Sequence, residues 1–304
     1  MKKFLFSISA ILALFLVGCQ GSNNTKAQQN TQSNETSSTA ETSNSVKSSQ
    51  RSESSTKKSA TPTLFVHGYQ GTTNSFKSMI QQMEQEGIAQ REMVVIVHSD
   101  GSLETQGELS GEKTNPIIQV IFEDNENDEW NQTEWIKNTL SFLKEDYQVD
   151  KVNLLGHSMG GVSTYRYMGT YGQEDTLPEV ENFIALGAPF NDFINTSDRQ
   201  SLEDLLKDGP DETSARYQDF EELTPQISQE TTVLLIAGQL SESDFSDSMV
   251  PITSALSVYS LLKANEIEVD YSVVHGQNAQ HSMLHENNQV NKLIEQALWI
   301  NSQD

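Results

Sequence analysis

The stretch LLGHSMGG, residues 154–161, stands out in an otherwise polar chain and fits the pattern G-x-S-x-G over residues 156–160. A serine so placed is either a turn residue or a nucleophile held on a sharp strand-to-helix turn, and the flanks discriminate. KVNLL at 151–155 reads as a short apolar strand, and residues 162–171 read as a helix. Both flanks therefore fit the turn. The glycines on either side of Ser158 let neighbouring backbone approach where side chains would collide. Such a turn exposes the Ser158 hydroxyl and aims the N-terminus of the following helix at it.

Working outward, short apolar runs alternate with segments of helical period. TLFV at 63–66, ending in His67-Gly68, is followed by residues 76–86, where Phe76, Met79, Ile80 and Met83 recur at helical spacing. MVVIV at 93–97 and IIQVIF at 117–122 read as strands, and the polar stretch between them suggests an inserted hairpin around 99–122. Trp135, Ile136, Leu140, Leu143 and Tyr147 mark a further helix. NFIAL (182–186), TVLLIA (232–237) and VDYSVV (269–274) continue the strands, with helices expected at 252–264 and 290–300. This alternation predicts one α/β domain, with a mostly parallel central sheet and helices on both faces. Residues 190–230 interrupt it with polar sequence and a helix around Leu202, Leu205 and Leu206. A cap-like insertion forming a lid over a site is expected there.

The start of the chain has a different character. MKK, an apolar run and GCQ form an export signal over residues 1–18, with an apolar stretch too short for a comfortable bilayer span. Leu16-Val17-Gly18-Cys19 resembles the lipobox of bacterial lipoproteins, and Cys19 is the single cysteine of the chain. The resemblance implies lipidation at Cys19 and placement on the extracytoplasmic face of the cell membrane. Residues 19–61 are Ser-, Thr-, Asn- and Gln-rich, with too little apolar surface to repay ordering, so they read as a tether. As a flexible coil of about forty residues it would span about 35 Å. The folded domain is expected over 62–304. Of 19 Lys and Arg against 43 Asp and Glu in the chain, 12 against 40 lie from Pro62 onward. That acidity argues against a nucleic-acid partner and against direct docking on an anionic membrane, and leaves attachment to the lipid.

A serine hydroxyl needs a base and an orienting acid, arriving in the order Ser, acid, His. Asp244 and Asp247 follow the strand at 232–237, and His275, His281 and His285 follow the one at 269–274. The three histidines are spaced six and four apart without a matching Cys or carboxylate pattern, so no metal is expected. There is no phosphate-binding glycine fingerprint either, and no cofactor is expected.

LFVHGYQGT, LLGHSMGG, the Ser-Asp-Ser-Met-Val-Pro segment and HSMLHENNQV together resemble the Gram-positive cell-surface α/β-hydrolases, catalogued largely as a domain of unknown function. The resemblance spans Pro62 to the end. It implies an α/β-hydrolase fold with Ser158 as nucleophile, Asp247 as acid ahead of the Val-Pro pair, and His281 as base ahead of the last helix. The Gly that commonly follows the acid is Ser248 here. The resemblance further implies an oxyanion hole built from the backbone N–H groups of Tyr69 and Met159, with His67 and His157 as structural neighbours. The expected function is that of a lipid-anchored serine hydrolase acting on a small-molecule or lipid acyl ester, as a carboxylesterase or lipase-like enzyme. An acyltransferase on the same scaffold and a non-catalytic surface-binding lipoprotein are the alternatives.

Overall fold

The apolar runs become strands buried from both sides. In the computed structural model, which describes residues 56–300, they and a polar edge strand, Leu103–Gly107, form one eight-stranded sheet. Along the chain come β1 (Thr63–Val66), α1 (Lys77–Gln85), β2 (Gln90–Val97), β3 (Leu103–Gly107), β4 (Pro116–Phe122) and α2 (Glu129–Tyr147). Then follow β5 (Lys151–His157), α3 (Met159–Tyr171), β6 (Glu179–Leu186), β7 (Phe190–Phe193), α4 (Leu202–Asp208) and α5 (Ala215–Leu223). The last part holds β8 (Thr232–Gln239), α6 (Ile252–Ala255), α7 (Tyr259–Ala264), β9 (Glu268–His275) and α8 (Asn288–Leu298). The strand order is β3-β2-β4-β1-β5-β6-β8-β9, and every pairing is parallel except that of β2 with β3.

Neighbouring residues of one strand enter different cores. Leu64, Val66, Ile118 and Leu154 join a cluster with α2 and α3, while Phe65, Ile117 and Leu155 join another with α1 and α8. A parallel sheet covered on both faces needs such continuous apolar strands, because neither face meets water. The chain runs from β1 out to one edge, returns as β4, and crosses to β5 on the other side of β1. The carboxyl ends of β1 and β5 thus sit side by side at a topological switch point, where open α/β sheets bind their ligands.

The expected added pair at 99–122 divides in two. β3 is the antiparallel hairpin partner of β2 at the sheet edge, whereas β4 is a core strand between β2 and β1. The single helix expected over 252–264 is broken between α6 and α7. Leu256, which ends α6, takes φ −105° and ψ 4°, outside the helical range, and Leu256 and Val258 are both fully buried at the break. At the other end, Thr56 bridges Ile300 and the Ser59 N–H donates to Asn115 Oδ1 at 2.6 Å, so residues read as tether pack onto the domain from Thr56. Residues 1–18 and Cys19 lie outside the described residues.

The insertion at 190–230 holds β7, α4 and α5. α5 escaped the sequence reading because its polar sequence buries only Tyr217 and Phe220. Its anchor is ionic: Glu129, 2 % exposed, receives the Arg166 guanidinium on one oxygen at 2.6 Å and Arg216 Nε on the other at 2.7 Å. Arg216 also donates to the Pro189 carbonyl and pairs with Asp192. The insertion is thereby clamped to α2 and α3. Removing one partner of a buried ion pair commonly costs about 3–5 kcal/mol, because the others stay buried and uncompensated. Glu129→Ala is expected to lose stability on that scale in urea denaturation, and more than Glu203→Ala on the exposed side of α4.

Candidate active site

The elbow is set by backbone crowding. Ser158 sits between β5 and α3 with φ 54° and ψ −125°, a left-handed conformation that non-glycine residues hold only under constraint. A Cβ on Gly160 would strike the Val66 and His67 carbonyl oxygens, and one on Gly156 would strike the backbone of Gly161. Only glycine lets α3 start this close to β1 and β5. The Ser158 N–H donates to the Leu186 carbonyl at 2.9 Å, which ties the strained residue to β6.

The loops after β8 and β9 bring two more side chains to it. His281 Nε2 lies 2.9 Å from Ser158 Oγ, and His281 Nδ1 lies 2.7 Å from Asp247 Oδ2. A carboxylate can only accept, so the imidazole proton sits on Nδ1 and Nε2 accepts from the serine hydroxyl. Asp247 is fully buried, and its Oδ1 accepts from the N–H groups of Met249 at 3.0 Å and Val250 at 2.7 Å. Ser248 takes φ 78°, the conformation that the glycine common at this position would adopt freely, and its hydroxyl accepts from Gln280 Nε2 at 3.2 Å. The His281 N–H donates to the Asp247 carbonyl at 2.8 Å, so the loops after β8 and β9 are joined through backbone as well. Asp244 is elsewhere occupied: it accepts from the Ser246 hydroxyl at 2.7 Å.

The other histidines hold positions around this chain. His67 Nε2 accepts from the Phe122 N–H at 3.1 Å, which leaves Nδ1–H to donate to the Gly68 carbonyl at 2.8 Å. His157 Nε2–H donates to the His281 carbonyl at 3.0 Å, a link between elbow and base loop that the G-x-S-x-G pattern does not disclose. The His285 ring packs 4.6 Å from the His157 ring and 5.2 Å from Phe76. His275 is exposed at the end of β9. Burial holds the pKa values of His67 and His285 below the ordinary histidine value. For His157 burial, aided by the nearby His281 and His285, pushes it well below. A cleft of about 310 Å³ opens beside Ser158 and is lined by Tyr69, His157, Met249, His281 and His285 among others, with no charged carboxylate or ammonium. No residue of 190–230 is among those that line it. Met159 opens α3, in the first turn whose N–H groups have no intrahelical partner, and Tyr69 follows Gly68 at the cleft wall.

Sheet order, elbow and loop placement define a member of the α/β-hydrolase class. Residues 50–301 match the family described as alpha/beta hydrolase of unknown function (DUF915), and the chain belongs to that family. Among solved structures, the lin2722 gene product of Listeria innocua is 26% identical, with a TM-score of 0.71 over 77% of this chain and 92% of that one. A protein of Lactobacillus plantarum WCFS1, assigned by name as a cell surface hydrolase, is 20% identical, with a TM-score of 0.61 over 77% of this chain and 88% of that one. Among curated proteins none matches.

The depressed histidines make stability depend on pH. Below about pH 6.5 the unfolded chain protonates His157 while the folded one does not, so the unfolded state binds more protons and stability falls as pH falls. The wild type is expected to lose about 1 kcal/mol more between pH 7.5 and 5.5 than His157→Gln. Denaturation curves of both proteins at each pH check this, since titration of the carboxylates is common to the two.

Proposed function

We propose that this chain is a serine acyl hydrolase in which Ser158, His281 and Asp247 act as nucleophile, base and acid. The observation that carries the reading is the continuous hydrogen-bonded run from buried Asp247 through His281 to the hydroxyl of a strained elbow serine. As Ser158 Oγ attacks an ester carbonyl carbon, His281 Nε2 takes its proton, and the imidazolium that forms is stabilised by Asp247. The carbonyl oxygen becomes an oxyanion that the N–H groups of Tyr69 and Met159 receive, each such donor being worth about 3 kcal/mol in the transition state. His281 returns the proton to the alkoxide as the C–O bond breaks and the alcohol leaves. Water then attacks the acyl-serine through the same base, and the carboxylic acid departs.

The uncharged cleft supports a neutral acyl group, and its 310 Å³ is near the lower end of ligand pockets, about 300 Å³. A short-chain carboxylic ester is the substrate class that fits it. With the export signal and Cys19 lipobox, the enzyme would work on the extracytoplasmic face of the membrane, held by its lipid.

Labelling by a fluorophosphonate probe tests the reading: the wild type should be labelled and Ser158→Ala should not. A folded wild type that resists the probe would return the chain to the class of surface-binding lipoproteins. On a chromogenic ester series, turnover is expected to be greatest from acetyl to butyryl and to fall steeply by decanoyl. Asp247→Asn should lower kcat by about three to four orders of magnitude, against little change for Asp244→Asn. His281→Ala should abolish turnover, whereas His285→Ala should leave most of it.

A further inference from the structure

β9 ends the sheet, so among the described residues one of its two edges has no ladder partner. A cavity of about 770 Å³ lies against it, and Asp270, Tyr271, Ser272 and Val273 all line that cavity. Side chains along a strand alternate in face, so a cavity touched by four consecutive residues runs along the open edge and not over one face. The insertion supplies the far wall through Gln200, Ser201 and Leu202, and the acid loop contributes Phe245, which is 45 % exposed.

The direction of the backbone is also readable. In a parallel strand one residue turns its N–H and C=O to one neighbour and the next residue turns them to the other. Gly276, just beyond β9, donates its N–H to the Gln239 carbonyl of β8 at 2.9 Å, so the even-numbered residues face β8. Tyr271 and Val273 therefore face outward. The Tyr271 N–H agrees: its acceptor is Oδ1 of Asp270, 2.7 Å away. The Asp270 carboxylate stands where the carbonyl of another strand would be.

Charge around the groove is predominantly negative. Glu268 and Asp270 are exposed on β9, and Asp198, Glu203 and Asp204 are exposed beside the lining residues of the insertion. The neighbouring Arg199 is ion-paired with Asp198 at 3.4 Å and Glu212 at 2.5 Å. A second copy of the chain would bring its own Glu268 and Asp270 to the same edge, and charged edges oppose such self-pairing.

We propose that this groove binds an extended, lysine-bearing peptide as an added strand on β9. The backbone of the peptide pairs with Tyr271 and Val273, and its ammonium takes the Asp270 carboxylate that pairing releases from the Tyr271 N–H. The site is separate from the chemistry at Ser158 and does not rest on it.

Fluorescence anisotropy of a labelled Lys-Val-Lys-Val-Lys-Val peptide tests the proposal. The wild type should bind it at least about tenfold more tightly than a Glu-Val counterpart. Methylating one alternate set of the peptide's backbone nitrogens should abolish binding, while methylating the other set should not. Val273→Pro removes an outward N–H without touching the β8 ladder, as an edge strand tolerates, and should also weaken binding at least about tenfold. The methylated peptides act on the wild type, so the test stands even if that variant fails to fold. Equal affinity for all three Lys-Val peptides would mean attraction by charge alone and overturn the proposal. So would absence of binding, or a wild-type dimer in sedimentation that Val273→Pro dissociates.

Discussion

The structure depends on how closely the first turn of α3 approaches the carboxyl ends of β1 and β5. Gly156 and Gly160 leave no room for a Cβ between that turn and the neighbouring backbone, and Ser158 is held between them at φ 54°. The strain is local and the restraint is not. Hydrogen bonding to β6 and the packing of α3 into the core oppose relaxation of the turn. A serine placed this way stands clear of its own helix while lying beside the orphan N–H groups of the helix start.

Around that point the loops hold one another. The Asp247 carbonyl accepts from the His281 N–H, the His281 carbonyl accepts from His157, and Asp247 Oδ1 is fixed by two N–H groups of its own turn. Each contact satisfies a polar group that burial would otherwise leave unpaired. The result is an imidazole at His281 oriented from both sides of its ring and through its backbone. Three histidines outside the proposed triad contribute by staying neutral, which suits a crowded site where each added charge would meet another.

The insertion follows a different logic. Its sequence is polar, yet Glu129, Arg166 and Arg216 clamp it to α2 and α3, and its own Phe190 and Phe220 pack against Tyr165 of α3. It shapes the groove along β9 and does not line the Ser158 cleft. A segment held by buried ions and aromatic packing is part of the frame that borders the groove.

Much of this was legible in the residues. The two-sided strands announced themselves as continuous apolar runs, and G-x-S-x-G with its flanks located the elbow, because both signals are local and period-bound. Asp247 and Asp244, and likewise His281 and His285, could be separated only by resemblance, since a loop carboxylate three residues from another has the same local chemistry. The fold separates them physically: Asp247 is fully buried under His281, while Asp244 caps its own loop. β4 as a core strand, the second role of His157, the clamp at Glu129 and the open edge of β9 belong to tertiary structure alone. Each depends on pairing across dozens of residues, and sequence periodicity carries no information about which distant partner a strand, ring or guanidinium will meet.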